Sequence, residues 1–391
     1  MTDAALRSPR VDPVLAALAL AGAGAAFLVP FYQFAPNRIV AGTDWRLVAS
    51  SLPAALAYLL GWVGIGAFAA LPASVRLAAA ARWAWLLVPV PVLAALAGAA
   101  RISWALAGSD PVARVTLGPG FWLTLFGALV AGIAMPSGIA SRALGLLLAL
   151  GAALAGLALG WFDALSLVRE ARNLGSAFGT EFIRHLVLTG GAVAAGTLLG
   201  LTLGIAAHRS PGWRLGGCFT LNFLQTVPSL ALFGLLILPL AWLSVRFPLL
   251  RAWGIKGIGP APALIALSFY AALPVARNTL TALDEMPQAV LDAGRGMGMS
   301  EWQLGLGVVV PLTWPAVLAG IRIATVQTVG NTVVAALIGA GGLGTFIFQG
   351  LGQTAMDLVL LGTLPVVALA LAADQILGAL SRSPRSSGAR P

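Results

Sequence analysis

Long apolar runs with few or no charges constrain this chain more than any other feature. Ten of them, each near twenty residues, lie at about 14–33, 52–71, 83–105, 117–136, 143–162, 185–207, 219–243, 261–281, 313–338 and 356–380. A run of that length matches the hydrocarbon thickness of a bilayer when it is helical. In lipid every backbone N–H and C=O must be paired inside the segment, so helices are the expected form. Only 9% of the 391 residues are charged and 59% are hydrophobic, against about 25% charged in soluble domains. The expected fold is therefore an all-α polytopic membrane protein with about ten transmembrane helices.

The net charge of +10 would suggest nucleic acid in a soluble protein. Here the basic residues, of which only Lys256 is lysine, sit mostly at the ends of apolar runs, where they anchor to headgroups. No nucleic-acid partner is expected. Arg7 and Arg10 precede the first run in the charge order of a signal sequence. That run is long for one and lacks a small-residue cleavage site, so it is read as an uncleaved span. A single cysteine, Cys218, excludes an internal disulfide. His185 and His208 flank one expected helix and stand roughly 30 Å apart at 1.5 Å per residue, too far to share a metal. Trp45, Trp62, Trp83, Trp85, Trp104 and Trp122 lie mostly near expected span ends, as interfacial anchors do.

The apolar pattern is interrupted at 284–311. This polar stretch carries Asp284, Glu285, Asp292 and Glu301, four of the thirteen acidic residues. It predicts two short helices about a glycine hinge. Pro287 suits a first helical turn. Gly294, Gly296 and Gly298 are expected to end that helix and reverse the chain. Ser300 and Gln303 have capping-box spacing, and Met299 with Leu304 fits a hydrophobic staple. Pro311 is expected to stop the second helix near Val310.

Asp292-Ala293-Gly294, then Gly298, then Val308 and Val310-Pro311 resemble the cytoplasmic coupling loop of ABC-importer permeases. That family's pattern is Glu-Ala-Ala, three residues, Gly, nine residues, Ile, one residue, Leu-Pro. The spacing fits without a gap. Asp replaces Glu and is one methylene shorter, Gly replaces the second Ala, and Val replaces both Ile and Leu. Further blocks are similar to permeases of osmoprotectant importers: Gln225 to Leu232, Tyr270 to Thr279, Gly294 to Ser300 and Ile338 to Gly344.

The resemblance implies a five-helix type I ABC importer core over 181–380, with residues 284–311 as the coupling loop. It implies that Asp292, Ala293, Gly294, Gly298, Ser300 and Pro311 serve coupling to an ATPase. No cofactor is expected in this chain; ATP and Mg belong to the partner ATPase. The implied partners are ABC ATPase subunits, a second permease subunit (the same chain or a shorter relative), an external solute-binding protein and the lipid bilayer. The implied cargo is an osmoprotectant such as glycine betaine or choline. The expected location is a bacterial inner membrane. Lys and Arg are split too evenly between the two sides to orient the chain, and a coupling loop facing the ATPase puts both termini in the cytoplasm.

Outside the core, residues 1–162 form an expected five-span N-terminal extension without a readable motif. Residues 163–180 form an external connecting segment, read as a short interfacial helix. Residues 381–391 form a basic cytoplasmic tail. Gly196, Gly200 and Gly204 repeat every four residues, as do Gly156 and Gly160, a spacing that lets helix backbones approach.

Polar residues within spans mark a translocation path, because lipid burial is costly. Gln225, Thr226 and Ser229 flank Pro228, which breaks helical hydrogen bonding in the seventh run. Asn278, and Gln327 with Asn331 one turn apart on the ninth run, complete the candidate path. Arg277 and Arg322 are candidate partners of Asp284, and Arg322 also of Asp374. Gly339 to Gly344 formally matches a dinucleotide fingerprint, but no βαβ unit surrounds it, and it reads as an external turn. No phosphate-binding Gly-Lys-Ser/Thr loop is present. The chain is therefore read as a non-enzyme. The rivals are a secondary transporter of a small polar solute and a membrane NAD enzyme.

Overall fold

The computed structural model describes residues 11–37, 40, 42–76, 80–107, 110, 112–136, 138–252 and 254–381. Arg7, Arg10, Arg38 and the basic tail with Arg382, Arg385 and Arg390 lie outside the described residues, as do the side chains of Arg82 and Cys218. Two compact units make up the chain, residues 1–173 and 174–391.

The first unit opens with α1 (Pro13–Leu28), whose N-terminus is capped by Asp12 Oδ1 accepting from Val14 N and Leu15 N. Val29 precedes Pro30 and is therefore extended, at φ −110° and ψ 139°. The end of the first apolar run then becomes a strand, β1 (Pro30–Ala35). It is the centre of a three-stranded antiparallel sheet with β2 (Thr43–Arg46) and β3 (Arg114–Leu117). Tyr32 faces Trp45 on one side and Leu117 on the other. The sheet is the one departure from an all-helical reading among the described residues.

Helices α2 (Leu52–Ala70), α3 (Pro89–Ile102), α4 (Pro119–Ala134) and α5 (Ile139–Ala158) complete the bundle, followed by the short α6 (Ser166–Leu174). A 3₁₀ stretch, Ala80–Leu87, and a π-helical turn, Ser103–Ala107, extend α3 at its two ends. The core is aromatic: Phe31, Tyr32, Tyr58, Trp62, Trp85 and Phe121. Trp62 is 1% exposed and Trp85 donates Nε1–H to the Gly132 carbonyl at 3.0 Å. These two tryptophans are core residues and not interfacial anchors, because their helices turn the rings inward; Trp83 and Trp104 are exposed. The Tyr32 hydroxyl donates to the Ala95 carbonyl, and burial pushes its pKa up.

Residues 163–173 pack within this unit. Val115 N donates to the Ala164 carbonyl at 2.8 Å. Arg114 pairs with Glu170 at 2.9 Å, both largely buried. Gly156 lies close under Phe162, but Gly160 sits beyond the end of α5 at φ +74°, so the two do not form a helix-packing stripe.

The second unit begins with α7 (Ser176–Arg209), 34 residues long. Then come α8 (Pro211–Thr226), α9 (Ser229–Arg246) and α10 (Pro260–Asp284). The seventh apolar run is thus two helices: Pro228 stands between α8 and α9, and α8 starts well before the run. Next are α11 (Gln288–Gly296), α12 (Glu301–Leu304), a π turn Gly305–Val309, α13 (Val310–Val334), α14 (Gly344–Gly352) and α15 (Met356–Ser381).

Helices α7 and α10 run side by side in the same direction. A Cβ at Gly196 would lie 2.5 Å from Ala271 Cβ, at Gly200 2.6 Å from the Ala272 carbonyl, and at Gly204 2.8 Å from the Ala276 carbonyl. The glycine stripe is therefore the contact itself, and any side chain there would force the helices apart.

Among the described residues, eight helical segments are long and apolar enough to cross a membrane. Two further apolar helices, α1 and α4, are 16 residues each. Both run into strands of the sheet, which take residues that the apolar pattern had assigned to spans.

Candidate functional site

The polar stretch folds as a lever between α10 and α13. Its base is a three-way clamp. Asp284, the last residue of α10, accepts from Arg214 Nη2 on both carboxylate oxygens at 2.8 Å and lies 2.8 Å from His208 Nδ1. The clamp joins the ends of α7 and α10 to the start of α8. Arg277 instead meets Asn222, so it is not the partner of Asp284.

From the base, α11 leads to Gly298 at φ +81°, in the left-handed region that favours glycine. Gly294 does not end this helix as the glycine spacing suggested. It is buried inside α11, where a Cβ would lie 2.4 Å from Leu304 Cδ1 and 3.5 Å from Met299 Sδ. The missing side chain is what lets α12 fold back onto α11.

Ser300 then starts α12 with a complete capping box. Its Oγ accepts from Gln303 N at 3.3 Å and its N–H donates to Gln303 Oε1 at 2.8 Å. Across the Gly298 turn, Arg295 Nε donates to Glu301 Oε1 at 3.0 Å, and the carboxylate holds that guanidinium above its usual range. Asp292 has only a loose contact to Arg295, at 3.7 Å, and is exposed, as is Ala293.

The second helix does not stop at Val310. The backbone continues from Glu301 to Ile338 as one helical rod, through a π turn at 305–309 and past Pro311. Pro311 enters at the first turn of α13, where its missing N–H is tolerated after the wider turn. Pro311 thus lies on the rod and the other five coupling residues on the lever.

The two most exposed apolar side chains flanking the lever's hinge are Met297, inside the Gly294 to Ser300 block, and Trp302, at 72% and 75% exposed. Met297 was covered by that block of the resemblance, whereas no motif marked Trp302. Beneath the lever is a cavity of about 680 Å³ lined by Leu201, His208, Thr279, Leu291, Arg295 and Trp302 among others.

The candidate path residues fall into separate groups. At the break between α8 and α9, Gln225 Nε2 donates to the Tyr270 carbonyl at 2.9 Å, and the Tyr270 hydroxyl donates back to the Val227 carbonyl. This clasp fixes the interrupted chain around Pro228 and Ser229 against α10. Thr226 donates to the Phe223 carbonyl of its own helix, and Asn278 Nδ2 to the Pro274 carbonyl of its own helix. On α13, Gln327 is exposed and Asn331 half-buried. Gln327 lines an open cavity of about 510 Å³ with Ala319, Arg322, Ile323, Val326 and Asp374, and Gln225 is not part of that lining. Arg322 pairs with Asp374 through two hydrogen bonds, 2.6 and 2.7 Å.

At the far end of α7, the glycine block turns at Gly339, Gly341 and Gly342, all at positive φ. Gly342 N–H donates to Glu181 Oε2 at 2.5 Å, and Glu181 also pairs with Arg184. The block is a turn packed on a helix end, with no strand before it, so the dinucleotide resemblance is formal only.

Residues 196–386 match the binding-protein-dependent transport system inner membrane component. The carnitine transport permease protein OpuCB of Listeria monocytogenes is 39% identical over 197 residues, which cover 50% of this chain and 83% of that protein. This chain belongs to that permease family. The osmoprotectant import permease protein OsmW of Salmonella typhimurium is likewise 39% identical, over 50% of this chain and 85% of that one. Residues 10–168 match the N-terminal domain of the ABC transporter permease YehY. Among solved structures, the permease is similar to the inward-facing MetNI methionine ABC transporter, at 24% identity and a TM-score of 0.43, over 54% of this chain and 99% of that one. The permease is a multi-pass inner-membrane component of an ABC importer. Its family implies an ATPase and a substrate-binding protein as partners.

Proposed function

We propose that this permease imports an osmoprotectant such as glycine betaine or choline, with ATP hydrolysed on a separate subunit that also holds the Mg. The observation that carries the reading is the lever: a capped pair of short helices, hinged at Gly298, with Asp292, Met297 and Trp302 exposed. A solvated loop has no need to expose Met297 and Trp302 and a loosely paired acid, Asp292, on a capped and hinged pair of helices. A groove on an ATPase would cover the first two and pair the third.

Movement of the lever passes to the spans by two routes. One is the continuous rod through the π turn into α13; the other is the Asp284 clamp onto α7 and α8. Both termini and the lever are cytoplasmic in this reading. Polar atoms of Arg322, Gln327 and Asn331 on a membrane-length helix need a cover that lipid does not supply. A second permease subunit, the same chain or a shorter relative, supplies it, and the path runs between the two. The ligand drives the cycle by binding the inward and outward states unequally. Substrate choice rests mainly with the external binding protein, whose aromatic groups hold a quaternary ammonium. The permease itself is not a catalyst.

The test is uptake into proteoliposomes holding the assembled transporter, with labelled glycine betaine, choline and an unrelated amino acid. ATP-dependent uptake of the first two alone is expected. Uptake that persists without the ATPase would instead make the chain a secondary transporter.

A further inference from the structure

The N-terminal unit contains a pocket that the transport reading leaves unused. It lies where α3 passes into the π turn Ser103–Ala107 and where α5 ends in the turn at 159–164, and its volume is about 620 Å³. Two aromatic side chains in its lining, Trp104 and Trp161, are 75% and 57% exposed. The Arg101 guanidinium is 5.7 Å from the centroid of the Trp104 ring and has no carboxylate partner among the described residues. Asp163 also lines the pocket. Its Oδ1 accepts from Arg172 at 2.6 Å, while its Oδ2 faces Gly160. A Cβ at Gly160 would sit 3.2 Å from Oδ2, so the glycine keeps that side of the carboxylate open. Ser103, 4% exposed, also lines the pocket, and its hydroxyl finds no hydrogen-bond partner among the described residues.

The pocket thus offers an unpaired cation, a carboxylate oxygen and two aromatic rings. A simple cation would meet Arg101, and a simple anion would meet Asp163. Aromatic faces attract alkylated ammonium groups, which are weakly hydrated. An anionic group on the same molecule pairs with a guanidinium. We propose that this pocket binds a zwitterionic ammonium compound, its cation against Trp104, Trp161 and Asp163 and its carboxylate or phosphate on Arg101. That chemistry has two sources, a free betaine and a phospholipid headgroup. The choice of betaine as a probe rests on the osmoprotectant reading above; the lining of the pocket does not.

The experiment uses the full chain in nanodiscs of phosphatidylglycerol, which has no ammonium headgroup, without ATPase or binding protein. Equilibrium dialysis with labelled glycine betaine is expected to show one saturable site per chain. Trp161→Ala and Arg101→Ala each weaken it by about tenfold, and Trp161→Phe, which keeps an aromatic face, by less than about threefold. Trp83→Ala, at another exposed tryptophan of the same unit, leaves it unchanged. In nanodiscs containing phosphatidylcholine, whose headgroup carries a quaternary ammonium, the lipid source predicts instead that wild type retains that lipid in native mass spectrometry and that Arg101→Ala and Trp161→Ala release it. Either pattern supports the site and names its source. Binding of neither ligand, or binding indifferent to Trp161→Ala and Arg101→Ala, overturns it and leaves the tryptophans as membrane anchors.

Uptake by the assembled transporter is measured in parallel. Betaine uptake with no pocket binding removes the pocket and leaves the transport reading. Variant-sensitive pocket binding with no betaine or choline uptake does the reverse.

Discussion

The two units bury apolar helices with opposite materials. In the N-terminal unit large rings interlock: Phe31 meets Tyr58 edge-on at 5.4 Å, and Tyr58 meets Trp62 at 6.4 Å. The Tyr58 hydroxyl donates to the Gly22 carbonyl at 2.8 Å and is 2.9 Å from Thr124 Oγ1. In the C-terminal unit the central contact is glycine and alanine backbone, as along α7 and α10. Interdigitated rings hold one arrangement, since moving any of them costs packing all round. A face of small residues has no knobs to lift over, so helices can shift with little loss. In the unit that carries the lever, Pro228 and the π turn at 305–309 fall between long helical segments, whereas in the first unit the π turn Ser103–Ala107 lies at the end of α3. The contrast assigns rigidity to the first unit and movement to the second.

The strongest way to break the contrast is at the hinge. Gly298→Arg is expected to abolish ATPase co-purification and uptake while the protein still inserts, because a non-glycine residue must hold φ +81° and a long cation replaces the open turn. Normal co-purification would refute the lever. Next is the aromatic core: Trp62→Ala removes a ring that is 1% exposed and should destabilise the first unit by about 3–5 kcal/mol. Limited proteolysis should then open residues 11–173 before 174–381, and simultaneous cleavage of both would show that the units do not unfold separately. Gly200→Leu tests the smooth face, where the new Cβ would lie 2.6 Å from the Ala272 carbonyl; a loss of about 1–3 kcal/mol in thermal unfolding is expected. Gly190→Leu, on the same helix with nothing within 4 Å, is its neutral control. The smallest effect belongs to the exposed pair across the hinge. Glu301→Gln should leave the thermal unfolding midpoint unchanged, because the pair is screened by solvent, and should leave ATPase binding intact, read by pull-down at low and high salt.

Much of the lever was legible because its signals are local. The Ser300–Gln303 capping box and the Gly298 reversal each need only a few neighbouring residues, and both are present. The glycine period on α7 was legible as a packing face, but its partner was not. That Gly196, Gly200 and Gly204 meet Ala271, Ala272 and Ala276 depends on which helices adjoin. The expected helix stop at Pro311 failed because a π turn over residues containing Gly305 and Gly307 lets the rod absorb the proline. The sheet was missed because its strands are four to six residues long and one is cut from the end of an apolar run.

The amino-acid order alone determined that this chain is a bundle of membrane-length helices with one polar lever, since hydrophobic length and cap chemistry act within a segment. Tertiary structure alone decided that Asp284 is clamped by His208 and Arg214, that Trp62 is core and not anchor, and that Arg101, Trp161 and Asp163 share a pocket. Those outcomes depend on which segments pack together, and residues 60 or 70 positions apart carry no local signal of meeting.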